Sequence, residues 1–187
     1  MEMRRRIGVA IFGGALIKSL TVLENVLLPL QELGSSRARN EQEWMATLLE
    51  RLGLEKLRDL RPAELSRGEI QRVGLARALI LDPEILICDD IFSGLDWRTR
   101  QRLVEFLEEL QKSSNLTVVV CTSLPEIGLK AADRMIVLEE GRCVASGTSA
   151  EIKQLDDPII ERVLLSHIEA MQSFGAFASA TNSGERP

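Results

Sequence analysis

Two adjacent carboxylates, Asp89 and Asp90, close the apolar run Ile85-Leu86-Ile87-Cys88. Such a run reads as a buried parallel strand, which delivers acids to its C-terminal edge, where carboxylates commonly bind a metal ion. Upstream, Ser66 is followed three residues later by Glu69, a capping box that starts a helix. A helix N-terminus is an anion site on its own account, so the start of the Ser66 helix is a candidate for phosphate contact. Each feature also has a structural reading. Capping alone explains Ser66 and Glu69, and Asp89 with Asp90 can be a solvated strand end without metal.

The elements that position these residues follow from periodicity. Ile7 to Phe12 is apolar and partly β-branched and reads as a buried strand ended by Gly13-Gly14. Thr21 and Glu24 form a second capping box for a helix from Val22 to about Leu33, which Pro29 kinks or ends. Glu41 to Leu52 repeats apolar residues at helical spacing, with Gly53 as its C-cap and a short turn from Glu55 to Leu60. The Ser66 helix carries Ile70, Val73, Leu75, Ala76 and Leu79 and is broken by Asp82-Pro83. Trp97 to about Ser113 is an amphipathic helix, and Leu116 to Cys121 a buried strand. A helix from Pro125 to Ala132, a hairpin of Met135–Leu138 and Cys143–Ala145 turning at Glu140-Gly141, and helices Ser149–Leu155 and Ile159 to about Met171 complete the chain. Residues 172–187 read as a disordered tail.

Composition narrows the function classes. The 187 residues suffice for one substantial core, and a net charge of -5 disfavours a general affinity for nucleic acid. Arg58, Arg61, Arg67, Arg72 and Arg77 read as solvated helix faces, Trp44 and Trp97 as packing residues, and His167 as an edge histidine. Cys88, Cys121 and Cys143 lack the paired spacing of a zinc site and read as reduced core thiols. No apolar run has the eighteen or so residues of a membrane helix, so no direct insertion is expected. Arg4-Arg5-Arg6 before Ile7–Ile17 imitates a signal peptide but lacks a small-residue cleavage site.

Read together, LSRGE (65–69), ILICDD (85–90) and SGLD (93–96) resemble the signature motif, Walker B strand and D-loop of an ABC-transporter ATPase. IGVAIFGGALIKSLTVLENVLLPL is similar to the Q-loop segment of such ATPases of the lipid-transporting Mla/Mce type. CTSLPEIGLKAADRMIVLEEGRCVASGTSAEI is similar to their H-loop region. The resemblance implies ATP held between one monomer's P-loop and the other's signature loop, here Ser66, Gly68 and Glu69, with magnesium at Asp89 and a dimer interface at Ser93, Gly94, Leu95 and Asp96.

The sequence departs from that pattern at polar positions. It contains no G-x-x-x-x-G-K-[ST], the loop whose backbone and lysine cradle phosphates. Phe12 stands at the Q-loop glutamine, Thr122 at the H-loop histidine, and Asp90 at the glutamate that polarises the attacking water, where it is a weak catalytic candidate. Arg67 replaces a signature glycine and removes the permission for positive φ. The family places its Walker A strand between the strands matching Val118–Cys121 and Met135–Leu138. Those two strands are therefore expected to pair directly, or to receive the missing layer from another chain.

The expected fold is α/β, a truncated P-loop NTPase of ABC ATPase type with a mostly parallel sheet. It forms one domain over residues 1–171, with a helical subdomain inserted at about 21–80. The resemblance implies a cytoplasmic protein, peripheral on the inner face of the membrane, that serves a lipid transporter without hydrolysing ATP. Its partners would be a permease subunit and an intact ABC ATPase or a second copy of itself, with ATP and magnesium bound only alongside such a partner. The alternatives are a permease-binding module that uses no nucleotide, and a truncated gene product.

Overall fold

A computed structural model describes residues 2–34 and 40–163. They form two compact units that divide between Ser123 and Leu124. In the first, a short helix α1 (Glu2–Arg6) leads into β1 (Ile7–Ile11), followed by helices α2 (Val22–Leu33), α3 (Glu41–Arg51) and α4 (Arg67–Leu79). Then come β2 (Ile85–Asp89), α5 (Trp97–Ser113) and β3 (Thr117–Cys121). The three strands make a parallel sheet in the order β1-β2-β3, with Ile11, Asp89 and Cys121 in one row at its C-terminal end.

The helices begin where local chemistry demands. Thr21 and Ser66 each form a reciprocal capping box, with Glu24 and Glu69 returning a carboxylate to the cap's own N–H. Pro29 does not end α2, which continues to Leu33. α3 stops at Leu52, and Gly53 takes φ 65° just beyond it.

Asn25 ties the helical region together from a fully buried position. Its side chain accepts from the Ile17 N–H at 2.8 Å and donates to the Ile17, Leu20 and Thr21 carbonyls at 3.1, 3.2 and 2.9 Å. Trp44, 3% exposed, donates its indole N–H to the Leu79 carbonyl at 2.9 Å and joins α3 to α4.

One face of the sheet is buried and the other is bare. Ala10, Leu86 and Cys88 are at most 2% exposed, whereas Val9, Ile11, Ile85 and Val119, all on the opposite face, are 36% to 52% exposed. Parallel sheets are ordinarily covered on both faces. The expected direct pairing of the strands at Val118–Cys121 and Met135–Leu138 does not occur, since β3 bonds to β2 and β4 (Met135–Glu139) to β5 (Arg142–Gly147) in a separate sheet.

In the second unit, α6 (Pro125–Ala131) precedes an antiparallel hairpin of β4 and β5, and α7 (Ser149–Lys153) follows. Glu140 and Gly141 both have positive φ, as a two-residue hairpin turn requires. Val137, Ala145, Ile152 and Ile160 form this unit's core. Residues 158–163 are helical. The remainder of the expected last helix, His167 and the tail from 172 lie outside the described residues.

Several burial expectations are corrected. Cys88 is buried, but Cys121 and Cys143 are exposed because they fall on outward-facing strand positions. Trp97 is 54% exposed, since it opens α5 before that helix's apolar stripe begins. Arg72 and Arg77 are not solvated, being half-buried.

Candidate functional site

The sheet's C-terminal edge gathers three positions that are far apart in sequence. Phe12, Asp90 and Thr122 are each the first residue past a strand, and the register sets the three strand ends side by side. This is the edge at which open parallel sheets receive ligands. Phe12 is 57% exposed and presents a phenyl ring with no polar atom. Thr122 is half-buried beyond β3.

Asp90 has the unusual geometry of the group. Its φ is 51°, a left-handed conformation that costs a non-glycine residue free energy and that aspartate tolerates better than most. Its backbone N–H donates to the Cys121 carbonyl at 2.8 Å, which ties the turn to β3. Its Oδ1 is buried without a hydrogen-bond partner. An orphaned carboxylate oxygen at a strand end is a group prepared for a ligand, a proton or a water. Neighbouring Asp89 is exposed.

Hard oxygen donors suit magnesium, which takes one or two carboxylates and completes its shell with water and phosphate oxygens. No cluster of three or more metal-ligating side chains occurs among the described residues. Asp89, exposed, and Asp90, with one oxygen buried, would each offer a single carboxylate to such an ion, and its remaining ligands would come from elsewhere.

The signature-like turn is built differently. Ser66 Oγ accepts from the Glu69 N–H at 3.3 Å, and Glu69 accepts from the Ser66 N–H at 2.7 Å. Hydrogen bonding from Ser66 to the carboxylate, from its side chain first and then its backbone N–H, holds the Glu69 carboxyl below its ordinary pKa of 4.5. Arg67 is simply the first residue of α4, and its φ is not positive. The expected loss of positive φ at that position therefore has no consequence in this fold. A Cβ on Gly68 would lie 3.1 Å from Leu95 Cδ2, so the start of α4 packs on the Ser93–Asp96 loop. In that loop Gly94 has φ 74°, Leu95 is buried, and Asp96 caps α5 by accepting from the Thr99 N–H at 3.0 Å.

Sequence reasoning missed Arg77. Its guanidinium donates to the Gly14 and Ala15 carbonyls at 2.7 and 2.9 Å and so clamps the loop after β1 to α4. Burial lowers its pKa from the ordinary arginine value, yet arginine remains a cation. No local signal marks a contact across 63 residues of sequence. An arginine on the inner side of an amphipathic helix, downstream of a diglycine loop, is the faint hint that was present.

Comparison with known proteins gives this geometry a lineage. The family model described as ABC transporter matches residues 1–93. The methionine import ATP-binding protein MetN of Haemophilus influenzae (strain 86-028NP) is 40% identical over 149 residues, covering 80% of this chain and 43% of that protein. The chain is an ABC transporter ATP-binding domain. The MetN protein of Cupriavidus metallidurans is 37% identical over 174 residues, covering 91% of this chain and 49% of that protein. The ABC domain thus spans about half the length of the curated relatives it matches. Among solved structures, the dimeric bacterial ABC transporter cassette MJ0796 aligns with a TM-score of 0.70 and 31% identity, over 78% of this chain and 64% of that one. CbiO1 of Clostridium perfringens, part of the ABC transporter complex cbiONQ, aligns with a TM-score of 0.68 and 26% identity, over 92% and 69%. The ABC ATPase fold expected from the motifs, an α/β P-loop NTPase with a parallel sheet, is therefore established.

Proposed function

We propose that this chain acts as an ATP-binding subunit of an ABC importer and presents its signature turn and D-loop to nucleotide held by a partner's P-loop. The observation that carries this reading is the packing of the Ser66–Glu69 turn on the Ser93–Asp96 loop, through Gly68 and Leu95. Those two loops lie against each other at the start of α4. A dimer with an intact ABC ATPase would complete the site. Asp89 would serve magnesium, and Asp90 and Thr122 would stand at the base and H-loop positions. With Phe12 at the Q-loop position the chain alone would not turn over ATP.

The relatives are named for methionine import, which favours a small polar solute over the lipid suggested by the Q-loop segment. A permease is the expected membrane partner, and no described helix is long and apolar enough to cross a membrane itself. The proposed location is accordingly cytoplasmic and peripheral, with residues 1–171 acting as one domain. The exposed face containing Val9, Ile11 and Val119 supports the second half of the strand-pairing expectation, that another chain supplies a missing layer.

Titration of a fluorescent non-hydrolysable ATP analogue, against the chain alone and mixed with an intact ABC ATPase, tests the reading. Little binding is expected alone, with a gain in the mixture beyond the partner's own that Ser66→Arg removes. A second reading, a nucleotide-independent permease-binding module, is favoured by the exposed phenyl ring of Phe12. It predicts no gain in the mixture. ATP turnover by the purified chain, abolished by Asp89→Asn, would overturn both.

A further inference from the structure

We propose that the cleft between the end of α3 and the first turns of α5 binds a phosphate-like oxyanion. It has a volume of about 210 Å³ and is lined by Arg51, Arg72, Arg102, Thr99 and Glu50 among others. The sequence places the basic groups there by helical spacing. Thr99 and Arg102 lie three residues apart on one face of α5, and Arg51 is the last residue of α3. Arg72, from α4, reaches the same cleft.

Two of these guanidiniums have unfilled donor capacity. Arg72 Nε is buried and has no hydrogen-bond partner. Arg72 as a whole is half-buried and its charge interacts with that of Glu69, but a buried N–H without an acceptor is costly, and arginine cannot relieve that cost by losing its proton. Arg102, in the same cleft, makes no ion pair or hydrogen bond among the described residues. Arg51 is already oriented, held by the Glu109 carboxylate and lying 5.4 Å from the Phe106 ring centroid. Thr99 contributes a hydroxyl, and Glu50 is the cleft's one carboxylate. Three arginines lining one small volume, one of them already paired with Glu109, match an anion with several oxygens better than a single acceptor. The volume suits a compact phosphate, whereas a polyanion such as nucleic acid needs an extended basic stripe on a chain that is here acidic overall.

The phosphate group could be free or esterified to a small metabolite. Calorimetry on the full chain at pH 8 and constant ionic strength, with inorganic phosphate in one arm and glycerol 3-phosphate in the other, distinguishes these sources. Saturable binding is expected in at least one arm. The exposed Arg102→Gln substitution should weaken it at least tenfold, and Glu50→Gln should tighten it severalfold by removing the opposing charge. Binding of phosphate alone identifies the free ion, and tighter binding of the ester identifies a phosphate on a larger molecule. No heat of binding in either arm, or equal affinity in wild type and Arg102→Gln, would overturn the proposal. Arg72→Gln serves as the second variant, with its thermal unfolding checked beside it.

Discussion

Gly74 of α4 lies directly against Gly14 of the loop after β1, so close that a Cβ at position 74 would stand 2.7 Å from the Gly14 Cα. The two backbones touch with no side chain between them, and Arg77 one turn further on fixes the same loop by two carbonyls. Replacing Gly74 by alanine raises helix propensity by about 1 kcal/mol. The methyl group, however, meets backbone that cannot swing aside, an overpacking cost of about 1–3 kcal/mol or more. Gly74→Ala is therefore expected to lower stability by about 1–2 kcal/mol in urea denaturation at unchanged m-value. An increase in stability would show that the loop yields.

Asn25 invites a sharper test, because it serves four backbone groups from a fully buried position. Asn25→Ala leaves the Ile17 N–H and carbonyl without that partner, and each orphaned buried group costs about 1–3 kcal/mol. The expected loss is about 2–4 kcal/mol, with faster amide exchange at Ile17. A loss below about 1 kcal/mol would mean that water replaces the side chain.

What the sequence made legible was local or short-range. The capping boxes at Thr21 and Ser66 could be read because both partners of each lie within one turn. The order of strands and acids could be read because the family motifs occupy contiguous segments. The Arg77 clamp could not, since its loop lies 63 residues away and an arginine in a helix gives no sign of whether it meets solvent or a carbonyl. Cys121 and Trp97 differ from expectation for a related reason: both are of apolar type, yet exposure depends on which sheet face a strand residue takes and on where in its helix a residue falls. The bare sheet face around Val9 and Val119 shows how much burial depends on a covering layer.

The same cap carboxylates set an acid limit on stability. Glu24, Glu69, Glu151 and Asp96 are all held below their ordinary pKa values by hydrogen bonds within their capping motifs. Groups whose folded pKa is depressed stabilise the fold fully above the unfolded value and lose that contribution as pH falls through the folded one. Stability should therefore be flat from neutral pH down to about 5 and decline below about 4.5. Glu69→Gln keeps the cap's hydrogen bond without its titration, so it should shrink the acid decline between wild type and variant. Equal acid slopes in denaturant titrations at pH 3.5 and 6 would remove Glu69 from this account.

Thiol chemistry separates the two sheet faces. Cys121 and Cys143 are exposed, whereas Cys88 is buried, and burial, reinforced by nearby Cys121, pushes its thiol pKa up to about 12. Two of the three thiols should react rapidly with an aromatic disulfide reagent at pH 8, and the third only on unfolding. Should another segment cover the face that Cys121 shares with Val119, adding it would slow one of the fast thiols and leave the other unchanged.

Asp90 combines two unfavourable features at one residue, a left-handed φ of 51° and a buried carboxylate oxygen with no partner. Glycine relieves both, because it accepts positive φ freely and carries no polar side chain. It also enlarges the unfolded ensemble, which offsets part of the gain. Asp90→Gly is therefore expected to raise stability by about 1 kcal/mol, seen as a higher urea midpoint at unchanged m-value. A residue kept at a cost to stability on the ligand edge of a parallel sheet is the pattern of a functional group. A drop in stability would show instead that the Asp90 carboxylate is satisfied within the fold and that its position is structural.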